Sequence, residues 1–243
     1  IYQYIVAVPI PASWMTHTET AVRTRVYSIF GSPNIMGDFM VMVAPMCAGL
    51  AYYVKGTKWK IAAWIGTILM CIACLFTMSR ASWVAMAIAV VIFVLLVDRR
   101  LLALLAVAGI GACFVPFVRT RIGFLFTDDF AAANTSGRAG RQLNALNLFY
   151  AGNPWGGVGE GMFGGAVAMQ NQVLDGIDYF YVDNYFLKTM VEMGYCGLAA
   201  FCLMLLGFLG AACRALYRKA QDFKAGLDRL FPLCAGMFAG LCG

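Results

Sequence analysis

The chain has 243 residues, of which 62% are hydrophobic and only 12% are charged, with a formal net charge of +6. Soluble globular domains carry about 25% charged residues. This composition excludes an ordinary soluble enzyme and predicts an integral membrane protein. Most of the positive charge lies in short loops between apolar segments, as membrane topology requires, so it is no indication of nucleic-acid binding.

The N-terminal residues 1–33 mix aromatic and polar side chains, and we expect them to end a preceding outer loop, with an interfacial helix near 14–29. The sequence Gly31-Ser32-Pro33-Asn34 predicts a turn before the first membrane span. Because the chain starts at Ile1 and its last apolar segment is cut off at Gly243, we expect a partial domain of a longer polytopic protein.

The apolar residues fall in blocks close to the ~20 residues that cross a bilayer. The predicted spans are about 35–54, 60–78, 82–97, 101–118, 185–213 and 230–243. They predict an all-α fold, a polytopic bundle of transmembrane helices with a long extracytoplasmic loop at 119–183.

Alternate short loops are rich in basic residues, which places them in the cytoplasm by the positive-inside rule. These residues are Lys55, Lys58, Lys60, Arg99, Arg100, Arg214, Arg218, Lys219, Lys224 and Arg229. On the opposite side every basic residue before Lys188 is an arginine. The planar guanidinium suits two-point contacts to phosphate or carboxylate better than a lysine does. The alternative is that lysine is absent there for no functional reason.

All nine cysteines lie inside or at the edges of apolar segments, where cysteine behaves as a small hydrophobic residue. Cys71 and Cys74 have the spacing of a metal or redox pair. No histidine or further cysteine cluster accompanies them, so we predict no metal site and no cofactor.

Arg80 lies in the very short predicted turn between the second and third spans, at the outer membrane boundary. An ionisable residue in such a place indicates function. The alternative is an arginine whose side chain extends to the interface and only marks the helix end.

The 119–183 loop holds four arginines and, up to its end, six carboxylates. These are Arg119, Arg121, Arg138, Arg141, Asp128, Asp129, Glu160, Asp175, Asp178 and Asp183. The sequence 134–137 predicts a helix start, with Ser136 or Thr135 as N-cap, so that Arg138 and Arg141 share one face. Leu143, Leu146 and Phe149 would form its apolar face, and Asn153-Pro154 would end it.

A glycine-rich run, Gly156-Gly157-Val158-Gly159-Glu160-Gly161, follows this helix. Its backbone N–H groups could bind an anion, or its glycines could simply permit a tight turn. A nucleotide site is not expected, because the lysine and Ser/Thr of a P-loop are missing.

The chain re-enters the membrane at Asp183-Asn184. Asn184, Lys188 and Glu192 are spaced four residues apart and predict one polar stripe on an otherwise apolar helix. Such a stripe faces the protein interior instead of lipid.

Five motifs in order carry a family resemblance. They are Phe30-Gly31-Ser32-Pro33-Asn34, Thr77-Met78-Ser79-Arg80-Ala81-Ser82-Trp83, Ser136-Gly137-Arg138 with Ala145-Leu146, Asn153-Pro154 with Gly157-Val158-Gly159-Glu160-Gly161-Met162-Phe163, and Asp183-Asn184-Tyr185-Phe186-Leu187 running into Glu192-Met193-Gly194-Tyr195-Cys196-Gly197. Together they resemble the O-antigen ligase / O-antigen polymerase superfamily of bacterial envelope proteins.

The resemblance implies a GT-C-like, metal-independent membrane glycosyltransferase. It would act on the outer face of the cytoplasmic membrane, with a glycan on undecaprenyl diphosphate as donor. The acceptor is another glycan or lipid-linked unit, and chain-length regulators or other polysaccharide assembly proteins are possible partners. Arg80 and Arg138 would hold the donor diphosphate, with Arg141 as a rival to Arg138 because Gln142 stands where the family often has tryptophan.

Ligases of this superfamily carry a histidine where this chain has Asp183. A carboxylate can accept the proton of a sugar hydroxyl in an inverting displacement. The difference favours a capsule, exopolysaccharide or O-antigen polymerase over a lipid A-core ligase. Asn184, Glu160, Gly159 and Gly161 are predicted to contact substrate.

Two alternatives belong to other classes of protein. A transporter or flippase of lipid-linked sugars would place polar groups near the bilayer midplane on interrupted helices, whereas here the charges gather at the outer boundary. A structural or sensory subunit would not need arginines at several outer positions.

Overall fold

The computed structural model describes residues 2–6, 8–9, 25–97, 99, 103, 109, 111, 114, 123, 140–171, 184–224 and 230–243. Within these ranges every regular element is a helix. The helices are α1 (Tyr2–Ile5), α2 (Pro33–Tyr53), α3 (Thr57–Phe76), α4 (Arg80–Val97), α5 (Gly140–Ala151), α6 (Ala166–Asn171), α7 (Tyr185–Lys224) and α8 (Phe231–Cys242). The all-α prediction is confirmed.

Four helices, α2, α3, α4 and α7, are long and apolar enough to cross a membrane, and α8 is apolar but shorter. α2, α3 and α4 lie over the first three predicted spans. Most of the predicted span at 101–118 lies outside the described residues, as do 119–122, 124–139 and 172–183 of the predicted loop. The composition and the helices together define a polytopic helical membrane protein.

The chain forms two compact units. Unit 1 comprises Ile1–Gly123 and Ala212–Gly243, and unit 2 comprises Phe124–Ala211. The helix α7 begins in unit 2 and ends in unit 1.

In unit 1, α8 packs closely along α2 because small residues line the contact. Gly236 and Gly240 are four residues apart on α8, and a Cβ at either would collide with the α2 backbone, at Pro45 and Met42 respectively. Gly49 on α2 meets the backbone of Pro232 in the same way. Small residues at this spacing allow helix backbones to approach in membranes, where packing drives association.

In unit 2, α5 packs against the start of α7 through a small apolar core. Ala145, Phe149, Phe163 and Val191 are fully buried in it. The predicted apolar face of α5 was partly wrong, because Leu143 is 58% exposed. The buried positions Ala145 and Phe149 are one helical turn apart and lie on the same face of α5. This face is covered by Phe163 of the loop and Val191 of α7.

Candidate functional site

Arg80 is the first residue of α4 and follows the short connection between α3 and α4, the connection in which the sequence predicts it. Thr77, Ser79 and Ser82 are buried around it. Met78 has φ 56°, a left-handed conformation that side chains other than glycine seldom adopt. Arg80 is half-buried, and its Nη1 atom is shielded from solvent. The turn that precedes Arg80 is therefore short and buried.

Arg25 connects three segments of unit 1 at this turn. Its Nε donates to the carbonyl of Thr77 at 3.1 Å, and its Nη2 donates to Oδ1 of Asn34 at 3.0 Å. The next residue, Val26, is buried, and its N–H donates to the carbonyl of Phe76 at 3.1 Å. The segment before α2 is therefore attached directly to the turn that carries Arg80.

A short hydroxyl–carboxylate chain lies on the α4 side of the same turn. Ser82 Oγ donates to Asp38 Oδ1 at 3.1 Å and lies 3.0 Å from the Oγ of Ser79. A Cβ at Gly37 would collide with Ser82, so glycine is what allows α2 and α4 to come this close. Arg25 and Asp38 give the Arg80 turn one further cation and one anion.

The helix α7 is broken at Gly194, which has φ 68° and ψ −168°. We call residues 185–193 the short arm and residues 195–224 the long arm. In a straight helix the Cα atoms of Tyr185 and Phe201 would be about 24 Å apart, yet their ring centroids are 5.4 Å apart. The chain therefore turns sharply at Gly194.

The glycine-rich run binds to the main chain of the short arm beside this break. The N–H of Val158 donates to the carbonyl of Val191 at 3.0 Å, and the N–H of Gly159 donates to the carbonyl of Glu192 at 2.9 Å. Carbonyls near a helix break lose their intrahelical donors and need others. The run supplies two of these donors.

Hydrogen bonds also run in the opposite direction, from α7 to the loop. In an unbroken helix the N–H of Tyr195 would donate to Val191, but here it donates to the carbonyl of Pro154 at 2.9 Å. A Cβ at Gly157 would collide with the carbonyl of Glu192, and one at Gly194 with that of Trp155. Glycine is required at both positions because two main chains are in contact.

These hydrogen bonds distinguish the two alternatives for the glycine-rich run, anion binding and a tight turn. The N–H groups of Gly157, Val158 and Gly159 all donate to main-chain carbonyls, and that of Gly156 donates to Oδ1 of Asn153 at 3.3 Å. They are committed to the protein and do not form an anion-binding nest. The tight-turn alternative describes this part of the run.

Glu192 is 5% exposed and makes three contacts to the loop and the short arm. Its main-chain carbonyl accepts from Gly159, and its Oε1 accepts the N–H of Phe163 at 3.1 Å. Its Oε2 lies 3.7 Å from Nζ of Lys188, whose side chain is 23% exposed. Of the predicted stripe, Glu192 is buried and Lys188 is partly buried, whereas Asn184 is exposed at the start of the helix.

Between its two contacts with Glu192, the loop forms a β-turn. The N–H of Met162 donates to the carbonyl of Gly159 at 3.3 Å, which leaves Glu160 and Gly161 as the central residues. Gly161 has φ 76°, the positive value that a type II turn requires at its third position. Glu160 is exposed at the apex.

Asn184 is the N-cap of the short arm. Its Oδ1 accepts the N–H groups of Phe186 at 3.0 Å and Leu187 at 3.2 Å, the two donors that a capping residue satisfies. Asn184 thus marks where the helix starts. Asp183, the preceding residue and the predicted base, lies outside the described residues.

Arg141 is half-buried in unit 2, with its Nε shielded from solvent. It shares a helical face with the buried Ala145 and Phe149. Its predicted partner Arg138 and the predicted helix start at 134–137 lie outside the described residues. Unit 2 therefore holds Arg141, Glu160 and Asn184, whereas Arg80 belongs to unit 1.

The family comparison agrees with the motifs. The chain belongs to the O-antigen ligase family, whose model matches residues 65–202, more than half of the chain. The match includes Arg80, the glycine-rich run and the short arm of α7, but not Arg25 or Asp38. A comparison with curated proteins and one with solved structures each give no match. The protein is a multi-pass membrane protein and a glycosyl-transferring enzyme of the O-antigen ligase type.

Proposed function

We propose that the protein is a glycan polymerase of the O-antigen, capsule or exopolysaccharide kind, in which lipid-linked repeat units are joined on the outer face of the bacterial cytoplasmic membrane. Family membership supports glycosyl transfer from a lipid-linked glycan. The polymerase assignment rests on Asp183, which replaces the histidine that ligases carry.

In this proposal the donor is a glycan on undecaprenyl diphosphate, and the diphosphate is the leaving group. Arg80 and Arg138 bind it, with Arg141 assisting. Guanidinium groups held in place stabilise the negative charge that develops as the glycosidic bond breaks. The buried surroundings of Arg80 and its solvent-shielded Nη1 support this role, because a cation partly removed from water attracts a phosphate more strongly.

Asp183 accepts the proton from the incoming sugar hydroxyl, which attacks the anomeric carbon in an inverting displacement without a metal ion. Asn184 orients the hydroxyl or Asp183, and Glu160 or the glycines at 159 and 161 contact sugar or phosphate. Asn184 follows Asp183 directly and accepts hydrogen bonds from Phe186 and Leu187, which fix it at the start of the short arm. This fixed position supports an orienting role for Asn184.

The observation that carries the proposal is that polar groups adjoin uncharged segments long enough to cross a membrane. Arg80 begins α4, and no charged residue follows until Asp98. The polar short arm of α7 is followed by residues 195–213, which contain no charged residue. These roughly 19 residues extend about 28 Å, close to the hydrocarbon thickness of about 30 Å. Groups at the membrane boundary suit a lipid head group, whereas transporters place theirs near the midplane.

Glycan chain length in cells tests the proposal. Cells that lack the native polymerase would receive the full-length protein or its Arg80→Ala, Arg138→Ala or Asp183→Asn variant. We expect long chains with the wild type and single repeat units with each variant. Long chains with all three variants would refute the mechanism, and transport of lipid-linked units without chain growth would favour the flippase alternative.

A further inference from the structure

Glu192 holds both ends of the segment Gly159–Phe163, with Glu160 at its apex. We infer that Glu192 is a positioning residue, and that the turn it holds presents the Glu160 carboxylate to hydroxyl groups of the acceptor saccharide. The inference rests on the proposed function and adds to it a specificity element on the acceptor side.

The two contacts of Glu192 come from different parts of the residue. Its main-chain carbonyl binds Gly159 at the start of the segment, and its carboxylate binds the N–H of Phe163 at the end. Phe163 is itself fully buried. The ends of the turn are therefore attached to one residue of the short arm, and only the apex projects.

The carboxylate of Glu192 is suited to this task because it is charged, buried and partnered. A hydrogen bond to a charged acceptor is stronger than one to a neutral acceptor. Lys188 lies 3.7 Å away and balances the charge, which a buried carboxylate requires. Lys188 lies one helical turn after Asn184, so the Lys188–Glu192 pair connects the β-turn to the start of the short arm.

Glu160 has the chemistry of a saccharide contact. It is exposed, and it lies on a turn closed by the bond from Met162 to Gly159. A carboxylate accepts hydrogen bonds from sugar hydroxyls, whereas it repels the phosphates of the donor. A rigid turn reduces the entropy lost on binding. These properties assign Glu160 to saccharide hydroxyls and not to a diphosphate. The link through Lys188 to the start of the short arm, which follows the proposed base Asp183 in the sequence, favours the acceptor saccharide over the donor saccharide.

The test uses the full-length protein in proteoliposomes with the native lipid-linked repeat unit as donor. The methyl glycoside of the repeat unit is the acceptor, since it lacks a diphosphate and cannot act as donor. Glu160→Ala is expected to raise the acceptor KM about tenfold and leave the donor KM unchanged. Tenfold corresponds to about 1.4 kcal/mol. Asp222→Ala, a carboxylate on the long arm of α7, is the matched control and should change neither constant.

Glu192→Ala should raise the acceptor KM in the same way, and Glu192→Gln should restore most of the loss, because the glutamine carbonyl still accepts from Phe163. The double variant Glu160→Ala/Glu192→Ala should be no worse than the more impaired single variant. This non-additivity is expected if Glu192 acts through Glu160. A purely structural role would lower the yield of folded protein and would add to the effect of Glu160→Ala.

Gly161→Ala supplies a variant that leaves Glu192 intact. A Cβ there meets only ordinary contacts with Val167, but φ is 76°, so the turn is strained whatever the space. We expect a raised acceptor KM here as well. An active wild type whose acceptor KM is unchanged by Glu160→Ala or Gly161→Ala, or additive effects in the double variant, would overturn the inference. A wild type that forms no glycosidic bond would refute the proposed function instead.

Discussion

Replacing Gly194 by alanine tests the broken helix and the loop bound to it. The residue has φ 68° and ψ −168°, a region that is essentially accessible only to glycine. A Cβ at this position would collide with the main chain of Trp155 and approach the carbonyl of Pro154. Neither atom is at the end of a flexible side chain, so the loop itself must move.

The expected loss of stability has two parts. Holding alanine in this conformation costs about 1–3 kcal/mol. Moving the Pro154 carbonyl weakens its hydrogen bond with Tyr195, 2.9 Å in the native structure, which adds about 1 kcal/mol. The sum, about 2–4 kcal/mol, corresponds to a fall in Tm of about 5 °C or more.

The assay is thermal unfolding of the detergent-solubilised protein, followed by tryptophan fluorescence, together with glycan chain length in cells. Gly207→Ala is the matched control, because Gly207 lies in the same helix and a Cβ there would meet nothing within 4 Å. The control should change stability by less than about 1 kcal/mol. If Gly194→Ala had the Tm and chain length of Gly207→Ala, the break and its bound loop would not be as described.

Two further substitutions concern unit 1. Gly236→Ala should lower the free energy of unfolding by about 1–3 kcal/mol by overpacking against the α2 backbone, which would be measured as a lower Tm. Gly210→Ala is the control and should not lower the Tm, because a Cβ there meets open space. Equal Tm values for the two variants would contradict the α2–α8 contact. Arg25→Lys should lower activity about tenfold, because a lysine cannot donate to Thr77 and Asn34 together as the guanidinium fork does. Wild-type turnover of Arg25→Lys in the glycan assay would show that the Arg80 turn does not depend on this bridge.

The sequence predicts the helices well because each is encoded locally. The apolar blocks that became α2, α3 and α4 are long enough to cross a membrane by composition alone. The position of Arg80 at the short connection between two spans followed from the few residues that separate the apolar blocks. The re-entry predicted at Asp183-Asn184 is also local, because Asn184 caps the helix by accepting hydrogen bonds from Phe186 and Leu187.

The break at Gly194 could not be predicted in the same way. A single glycine is tolerated inside a helix, and apolar residues continue on both sides of it. The signal lies in the loop, whose Gly157 meets the main chain of Glu192 from 35 positions away in the sequence. The contact of Arg25 with the Arg80 turn could not be predicted for the same reason, since its partner Thr77 is 52 residues away in the sequence. Contacts of this kind depend on how the helices pack and leave no local pattern.

The most direct test of the central claim is glycan synthesis by the purified full-length protein in proteoliposomes that contain only the lipid-linked repeat unit. A polymerase with Asp183 as its base should produce a ladder of longer glycans on the same lipid diphosphate, and Asp183→Asn should leave the repeat unit unextended. A ladder of equal length from Asp183→Asn would contradict the account. So would transfer that occurs only when a lipid A-core acceptor is added.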